Sequence, residues 1–504
     1  MYRKAISLLI LSDDNSNILL LGLEGNIMEM SVRITNILIK NFKNVVNGEI
    51  SLVNSRRHFQ ASILGLYGQN GSGKTALIDA LELLKNILCE VEVPDKFADY
   101  INVDSEKAEI EYSFDVTLGK QVYPVTYKLV LMRETVWDLD NTENVIEESQ
   151  KYRVKLAQEL LRCQMKTANG KLRMGRLIDT ESNVAFAPKA KYELLTGGNK
   201  EADMDLLVAK KLSQKTAKSF VFAKDLINAI KHNITETKDP AEGEEARHYM
   251  ELIEALAYFG RAELFVINTE NSGLISLNAQ PLVFKIQDKK KGSSGTIAVP
   301  IGKPSVIPEE MFRVTEAVIT NMNIVLETIV PGLTIGVKDL GSQLMANGAY
   351  GKRIELVSRK NSKEIPLKYE SEGIKKIVSI LQLLVVVYNQ KSITVAIDEL
   401  DSGVFEYLLG ELLQIISERG KGQLIFTSHN LRPLETIDKG FIAFTTVNPE
   451  NRYIRLTNVK ENNNLRDFYY RDIILGGQDD AVYDLTNNAE IAMAFREAGE
   501  SIGS

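Results

Sequence analysis

The sequence predicts an α/β fold with a central mixed sheet and a mainly helical region inserted into it. Three observations carry the expectation. A glycine-rich loop, Gly68-Gln69-Asn70-Gly71-Ser72-Gly73-Lys74-Thr75, stands between a strand pattern and a helix pattern. A β-branched apolar run, Ile393-Thr394-Val395-Ala396-Ile397, ends in the carboxylate pair Asp398-Glu399. Between these two features, residues 182–259 turn helical and mixed in charge.

The loop fits G-x-x-x-x-G-K-[ST], the phosphate-binding pattern. Upstream, residues 59–67 (FQASILGLY) read as a buried strand; downstream, residues 76–88 (ALIDALELLKNIL) place apolar side chains at helical spacing. Strand, loop and helix in that order are what give the motif its chemistry. The glycines let backbone N–H groups converge on phosphate oxygens, and the helix N-terminus adds partial positive charge. Asn70, Gly71, Ser72 and Gly73 form the cradle, Lys74 reaches the β- and γ-phosphates, and the Thr75 hydroxyl ligates Mg²⁺. A P-loop NTPase binding ATP or GTP is expected.

Composition narrows the partners. The chain has 504 residues, enough for two or three domains. A net charge of −7 gives no overall basic footprint for nucleic acid, though a local patch is left open. Cys89 and Cys163 sit in helix-like sequence away from any metal-ligand spacing, which fits a reduced, cytoplasmic setting. The strongest apolar run, residues 377–388 (IVSILQLLVVVY), is too short to span a bilayer and reads as a buried helix, so no membrane partner is expected. The first 29 residues read either as an upstream extension, with Met28 or Met30 the true start, or as a small hairpin.

Along the chain, residues 32–40 and 46–53 read as two strands joined by Asn41-Phe42-Lys43-Asn44. Phe42 and Lys43 are candidates for adenine contact; the alternative is an ordinary turn with one core aromatic. Residues 108–116 and 122–132 alternate as an antiparallel pair, and residues 152–154 add a short strand. Helical periodicity covers residues 200–234 and 242–258, and residues 262–275 return to strand character. Residues 287–296 (QDKKKGSSGT) read as a basic loop, either a solvated tip or a phosphate-backbone contact. A long helix follows over 308–329, stopped by Pro331-Gly332.

The second chemical cluster lies in residues 393–430. The run 393–397 suits a strand buried on both faces, and a carboxylate pair at its C-terminal end is where α/β sheets place ligands. Asp398 would hold Mg²⁺ through water, and Glu399 would orient or deprotonate the attacking water. A helix over 404–418 and a strand over 423–426 lead to Thr427-Ser428-His429-Asn430, where His429, one of four histidines, is placed to sense a γ-phosphate. Strands over 441–447 and 453–457 complete a sheet. Upstream, Ser371 caps the apolar helix 374–388 and Gly373 leaves room for close approach. The phosphate loop already has its own helix terminus, so this one is expected to address a second nucleotide across a dimer.

The order of these pieces resembles an ABC-type ATPase head of the SMC/RecF kind. More closely, it is similar to the compact bacterial ATP-binding proteins of the overcoming-lysogenization-defect (OLD) class, whose neighbourhood includes ATPase subunits of phage-defence systems of the PARIS and Septu types. The resemblance covers residues 31–150 and 310–460. It implies ATP rather than GTP, and a head-to-tail dimer with two ATPs held between loop and signature. It assigns Lys74 and Thr75 to phosphate and Mg²⁺, Ser371 and Gly373 to the signature, Asp398 and Glu399 to the Walker B pair, and His429 to the switch. Ser371-Glu372-Gly373 is a reduced signature, and no glutamine is placed in the Q-loop role; Gln121 and Gln150 are weak candidates.

The expected organisation is an N-terminal extension (1–29), a first ATPase lobe (30–150), a helical or mixed insert (151–310), a second lobe with signature, Walker B and switch histidine (311–460), and a tail (461–504). OLD-class nucleases carry a TOPRIM domain after the ATPase, and the residues after His429 are too few for one, so a separate effector such as a nuclease is expected. The leading expectation is a slow, regulatory ATPase acting as sensor or scaffold in anti-phage defence. The alternative is a RecF-like DNA-repair ATPase.

Overall fold

A computed structural model describes residues 30–53, 60–137, 150–166, 172–198, 200–268, 279–288, 291–345, 348–457 and 464–500, with short pieces at 18–19, 22–23 and 459. Met28, one of the two candidate starts, and Lys289 and Lys290 of the basic segment lie outside these residues.

The chain opens with β1 (Met30–Phe42), β2 (Val45–Ser51) and β3 (Ser62–Tyr67), followed by α1 (Lys74–Leu88). Four long strands come next: β4 (Lys107–Leu118), β5 (Gln121–Trp137), β6 (Gln150–Lys166) and β7 (Leu172–Asp179). With β1 and β2 they make a six-stranded antiparallel sheet in the order β2-β1-β4-β5-β6-β7. The short strand expected near residue 152 is thus a 17-residue strand, and Cys163 lies within it rather than in a helix. Its Leu, Gln, Glu and Arg content favours helix locally, but pairing with β5 on one side and β7 on the other decides the outcome.

The helical region follows as α2 (Lys189–Thr196), α3 (Lys200–Lys215), α4 (Lys224–Glu236) and α5 (Pro240–Tyr258). Asp239 caps α5 by accepting from the Ala241 N–H, and Pro240 occupies its first turn, where its missing N–H costs nothing.

Then come β8 (Leu264–Ile267), a hairpin of β9 (Ala279–Asp288) and β10 (Lys291–Pro300), β11 (Ser305–Pro308) and α6 (Glu309–Ile329). The expected loop over 287–296 is therefore largely strand, with β9 and β10 paired from Ala279–Pro300 to Asp288–Lys291. The pieces at 18–19 and 22–23 pair antiparallel with β10. Strands β12 (Leu333–Leu344), β13 (Tyr350–Lys360) and β14 (Lys363–Pro366) form a small antiparallel sheet with β11.

The last part holds α7 (Glu372–Asn389), β15 (Thr394–Ile397), α8 (Glu406–Arg419), β16 (Gln423–Thr427), β17 (Ile442–Thr445), β18 (Tyr453–Ile454), α9 (Leu465–Leu475) and α10 (Asn488–Glu500).

One sheet positions the site. Its order is β8-β15-β16-β3-β17-β18, with β18 alone antiparallel. Successive side chains on its strands face opposite ways, and each face belongs to a different core. Leu64, Leu66, Ala396, Ile425 and Ala443 join the core that contains α1 and the antiparallel sheet. Ile63, Tyr67, Val395, Ile397, Leu424, Phe426, Ile442 and Phe444 join the core that contains α6, α7 and α8. A sheet covered on both sides explains why β15 and β16 are buried throughout and read as continuous apolar runs.

Candidate functional site

The phosphate loop leaves the C-terminal end of β3 and enters α1, whose N-cap is Gly73 in a left-handed conformation (φ 92°). A Cβ there would sit 3.1 Å from Val45 and 3.2 Å from the Asn44 side chain, so both backbone and space call for glycine. The loop is tied down from three sides. The Tyr453 hydroxyl donates to the Gly73 carbonyl at 2.9 Å, the Asn44 amide donates to the Gly71 carbonyl, and the Ser72 hydroxyl meets Thr445 and the Gln69 carbonyl.

Lys74 donates to the carbonyls of Gly68 and Gln69, each at 2.9 Å, so its ammonium lies folded across the mouth of the loop. Burial pushes that ammonium below its ordinary range, while Asp398, Glu399 and Asp401 draw it back.

The carboxylates arrive from two strands away in the sheet. The Thr75 hydroxyl donates to Asp398 Oδ2 at 3.1 Å, and the Thr427 hydroxyl donates to Asp398 Oδ1. Thr427 also accepts from the Glu399 backbone N–H at 2.8 Å, so one side chain holds both acids in place. Glu399 is left-handed (φ 48°), an uncommon backbone for a non-glycine residue. Asp401 Oδ2 accepts from the N–H groups of His429 (3.1 Å) and Asn430 (3.0 Å), which fixes the loop carrying the histidine.

Loop, acid pair and histidine line one cleft of about 330 Å³. Its walls are Lys43, Asn44, Asn70, Gly71, Gly73, Lys74, Thr75, Ala76, Asp398, Glu399, Thr427 and His429. A second cleft, of about 250 Å³ around residues 472–485, holds none of the candidate residues. The facing oxygens of Thr75 and Asp398 are a hard donor set that fits Mg²⁺.

Nine candidate residues therefore meet in the cleft: Lys43, Asn70, Gly71, Gly73, Lys74, Thr75, Asp398, Glu399 and His429. Four stand apart. Ser72 turns its hydroxyl toward Thr445. Phe42 is fully buried against Phe97 (6.2 Å between ring centroids) and Tyr100, so it offers a ligand no surface and belongs to the core. Lys43 keeps its place at the cleft, paired with Asp79 and lying 3.9 Å over the Tyr100 ring. Ser371 and Gly373 begin α7 outside the cleft, and Ser371 caps the helix by accepting from the Ile374 N–H at 3.3 Å. Gln121 is not among the described residues that line the cleft.

The sequence reading missed Thr427 and Asn44 as site-builders. Both were visible as polar residues beside a motif, but what they bond only appears once distant strands are adjacent.

A strand–glycine loop–helix unit facing a strand-end acid pair defines a P-loop ATPase. The chain matches the model of the AAA ATPase domain family (AAA_15) over residues 33–432 and belongs to that family. No protein of curated function matches it. Among solved structures it is similar to the SMC head domain from Thermotoga maritima (14% identity, 84% of this chain and 99% of that one, TM-score 0.34). It is also similar to the Smc head domain with an extended coiled coil from Pyrococcus furiosus, bound to the C-terminal domain of ScpA (13%, 84% and 96%, 0.36). The Smc head domain with a coiled coil and joint from Pyrococcus yayanosii gives comparable values (12%, 84% and 97%, 0.37).

Proposed function

We propose that the protein binds ATP with Mg²⁺ in this cleft and hydrolyses it slowly, closing head to tail on a second copy. The observation that carries the reading is a division of the motif residues. Lys74, Thr75, Asp398, Glu399 and His429 share one cleft, while Ser371 and Gly373 lie outside it at the start of another helix. A capped helix N-terminus presenting glycine suits a phosphate, and a second copy brings one to each cleft.

In this reading the loop N–H groups and Lys74 hold the β- and γ-phosphates. Lys74 exchanges its two loop carbonyls for phosphate oxygens. Thr75 and Asp398 hold the Mg²⁺, which neutralises phosphate charge when bound. Glu399 positions and deprotonates the attacking water, and His429 contacts the γ-phosphate. Lys43 stands at the cleft edge as the adenine-side contact.

The role we assign is that of an OLD-class sensor or scaffold in anti-phage defence, related to PARIS- and Septu-type subunits. ATP-dependent closure controls a separate effector protein, such as a nuclease. The setting is cytoplasmic; among the described residues no helix is long and apolar enough to cross a membrane.

The test is compositional. Glu399→Gln is expressed with its neighbouring genes, purified in ATP, and weighed for what accompanies it at fixed stoichiometry. A protein partner that stays with the ATP-loaded dimer supports the reading. Bound DNA with no protein partner, together with hydrolysis that DNA stimulates and salt suppresses, replaces it with a RecF-like repair ATPase.

A further inference from the structure

Between α9 and α10 the chain has neither helix nor strand, yet it is fastened along its length. Gln478 Oε1 accepts from the Thr457 N–H at 2.9 Å. Asp480 spans two side-chain amides: its Oδ1 accepts from Asn448 at 2.8 Å and its Oδ2 from Asn451 at 2.6 Å. The Ala481 carbonyl accepts from the Val447 N–H at 2.8 Å, and Val482, 2% exposed, enters the core that contains α6, α7 and α8. The run ends at the phosphate loop, where the Asp484 N–H donates to Gln69 Oε1 at 2.9 Å. Ordering irregular backbone costs entropy at every residue, so this path over the loop is held by specific bonds. It lies beyond residues 33–432, the part of the chain that matches the family.

The tail also reaches the loop by a second route. The turn that Asp480 grips, residues 448–451, joins β17 to β18. On its other side the Pro449 carbonyl accepts from the N–H groups of Val46 (3.0 Å) and Asn47 (2.9 Å) in β2. Arg452 follows the turn, is 6% exposed, and donates to the carbonyls of Thr446 and Asn44, both at 2.6 Å. The Asn44 amide in turn donates to the Gly71 carbonyl. The tail thus bears on Gln69 directly and on Gly71 through the turn, Arg452 and Asn44, and these two points bracket Asn70.

Gln69 is also where Lys74 rests. Its carbonyl accepts from Lys74 and from the Ser72 hydroxyl, while its side chain accepts from the tail. When Lys74 turns to a phosphate, Gln69 keeps its place through Ser72 and the tail.

We propose that residues 478–484 are a strap that holds the phosphate loop in its nucleotide-ready shape, with Asp480 as the clasp and Gln69 as the positioning residue it acts through. The proposal rests on the reading of the cleft as a nucleotide site. A loosened strap lowers the fraction of chains whose loop is formed, and apparent affinity falls by that fraction while the chemistry after binding is untouched. The coupling runs both ways: nucleotide in the loop tightens the strap, so occupancy of the cleft is felt in the tail.

The experiment compares wild type with Gln69→Met, Asp480→Ala and the double variant in the full chain. Mg-ADP affinity is read by equilibrium titration, Mg-ATP turnover as kcat and KM, and folding by a melting curve for each protein. Each single variant should weaken Mg-ADP and raise KM about 2–10-fold, the span of one or two hydrogen bonds, with kcat within about twofold. The double variant should be no weaker than Asp480→Ala alone, because both changes cut one strap. In the wild type, Mg-ADP should slow amide hydrogen exchange over residues 478–485. The proposal is overturned if both single variants bind like wild type, if their penalties multiply in the double variant, if kcat falls while KM holds, or if exchange in the strap ignores Mg-ADP. Should Asp480→Ala not fold, Asp480→Asn, which keeps the side-chain shape, takes its place under the same criteria. A wild type that binds neither Mg-ADP nor Mg-ATP removes the parent reading before any variant is compared.

Discussion

Replacing Thr427 by valine removes one hydroxyl, keeps the side-chain shape, and cuts two bonds at once. The hydroxyl donates to Asp398 Oδ1 and accepts from the Glu399 N–H at 2.8 Å, in a site where Thr427 is 1% exposed. A hydrogen bond to a charged group contributes about 1.5–3 kcal/mol and a neutral one about 0.5–1.5 kcal/mol. Both bonds are lost together, and the expected loss is about 2–4 kcal/mol. Urea unfolding of wild type and Thr427→Val, followed through the same signal, measures it. Turnover carries the second half of the argument. With Glu399 freed from its left-handed backbone, Mg-ATP hydrolysis should fall about 10–100-fold, the usual loss when a supporting group is removed. A variant as stable and as active as wild type would show that Thr427 holds neither acid. A destabilised variant with full turnover would show that Glu399 keeps its place by other means.

Three further outcomes are expected. Lys74→Ala should cost nucleotide affinity above all, read as a loss of ATP binding by equilibrium titration. Glu399→Gln should keep that affinity while hydrolysis slows by about 10²–10⁴-fold, the range of general-base contributions, and size-exclusion chromatography in ATP should report a persistent dimer. Glu109→Gln addresses pH. Lys107 at 2.8 Å and Lys128 at 2.6 Å hold the Glu109 carboxyl down at about 2. A depressed carboxylate stabilises the fold above its unfolded pKa, and that stability is lost as pH falls through the folded value. The wild type should therefore lose its advantage over Glu109→Gln between about pH 5 and pH 2; a gap constant across that window would refute the pairing.

Local order made the phosphate loop and the acid pair legible. Each is a contiguous motif whose flanking strand or helix is written in adjacent residues. The long helices α6 and α7 were legible for the same reason, their apolar period being unbroken. What stayed hidden depends on partners far along the chain. Strand β6 carries helix-favouring residues and is a strand because β5 and β7 flank it. The segment 287–296 looked like a basic loop because its lysines and glycines conceal a ten-residue pairing. Phe42 stood beside Lys43 in a turn, and nothing local told which of the two faces the core.

The place of β3 in its sheet also bears on how the chain is made. The antiparallel sheet from β1 to β7 joins strands that are mostly neighbours in sequence, so it is able to form as it emerges. Strand β3 is different: its two partners are β16 and β17. At ribosomal speeds of roughly 5–20 residues per second, β3 waits about 20–70 s for them. Over that interval a six-residue apolar strand ending in the phosphate loop has open edges on both sides, the form most prone to wrong pairing. A nascent chain halted before β16 would carry the whole loop and bind no nucleotide productively. Its yield should depend on chaperones that shield such edges, and the finished cleft would then mark a chain that has been translated through to its far half.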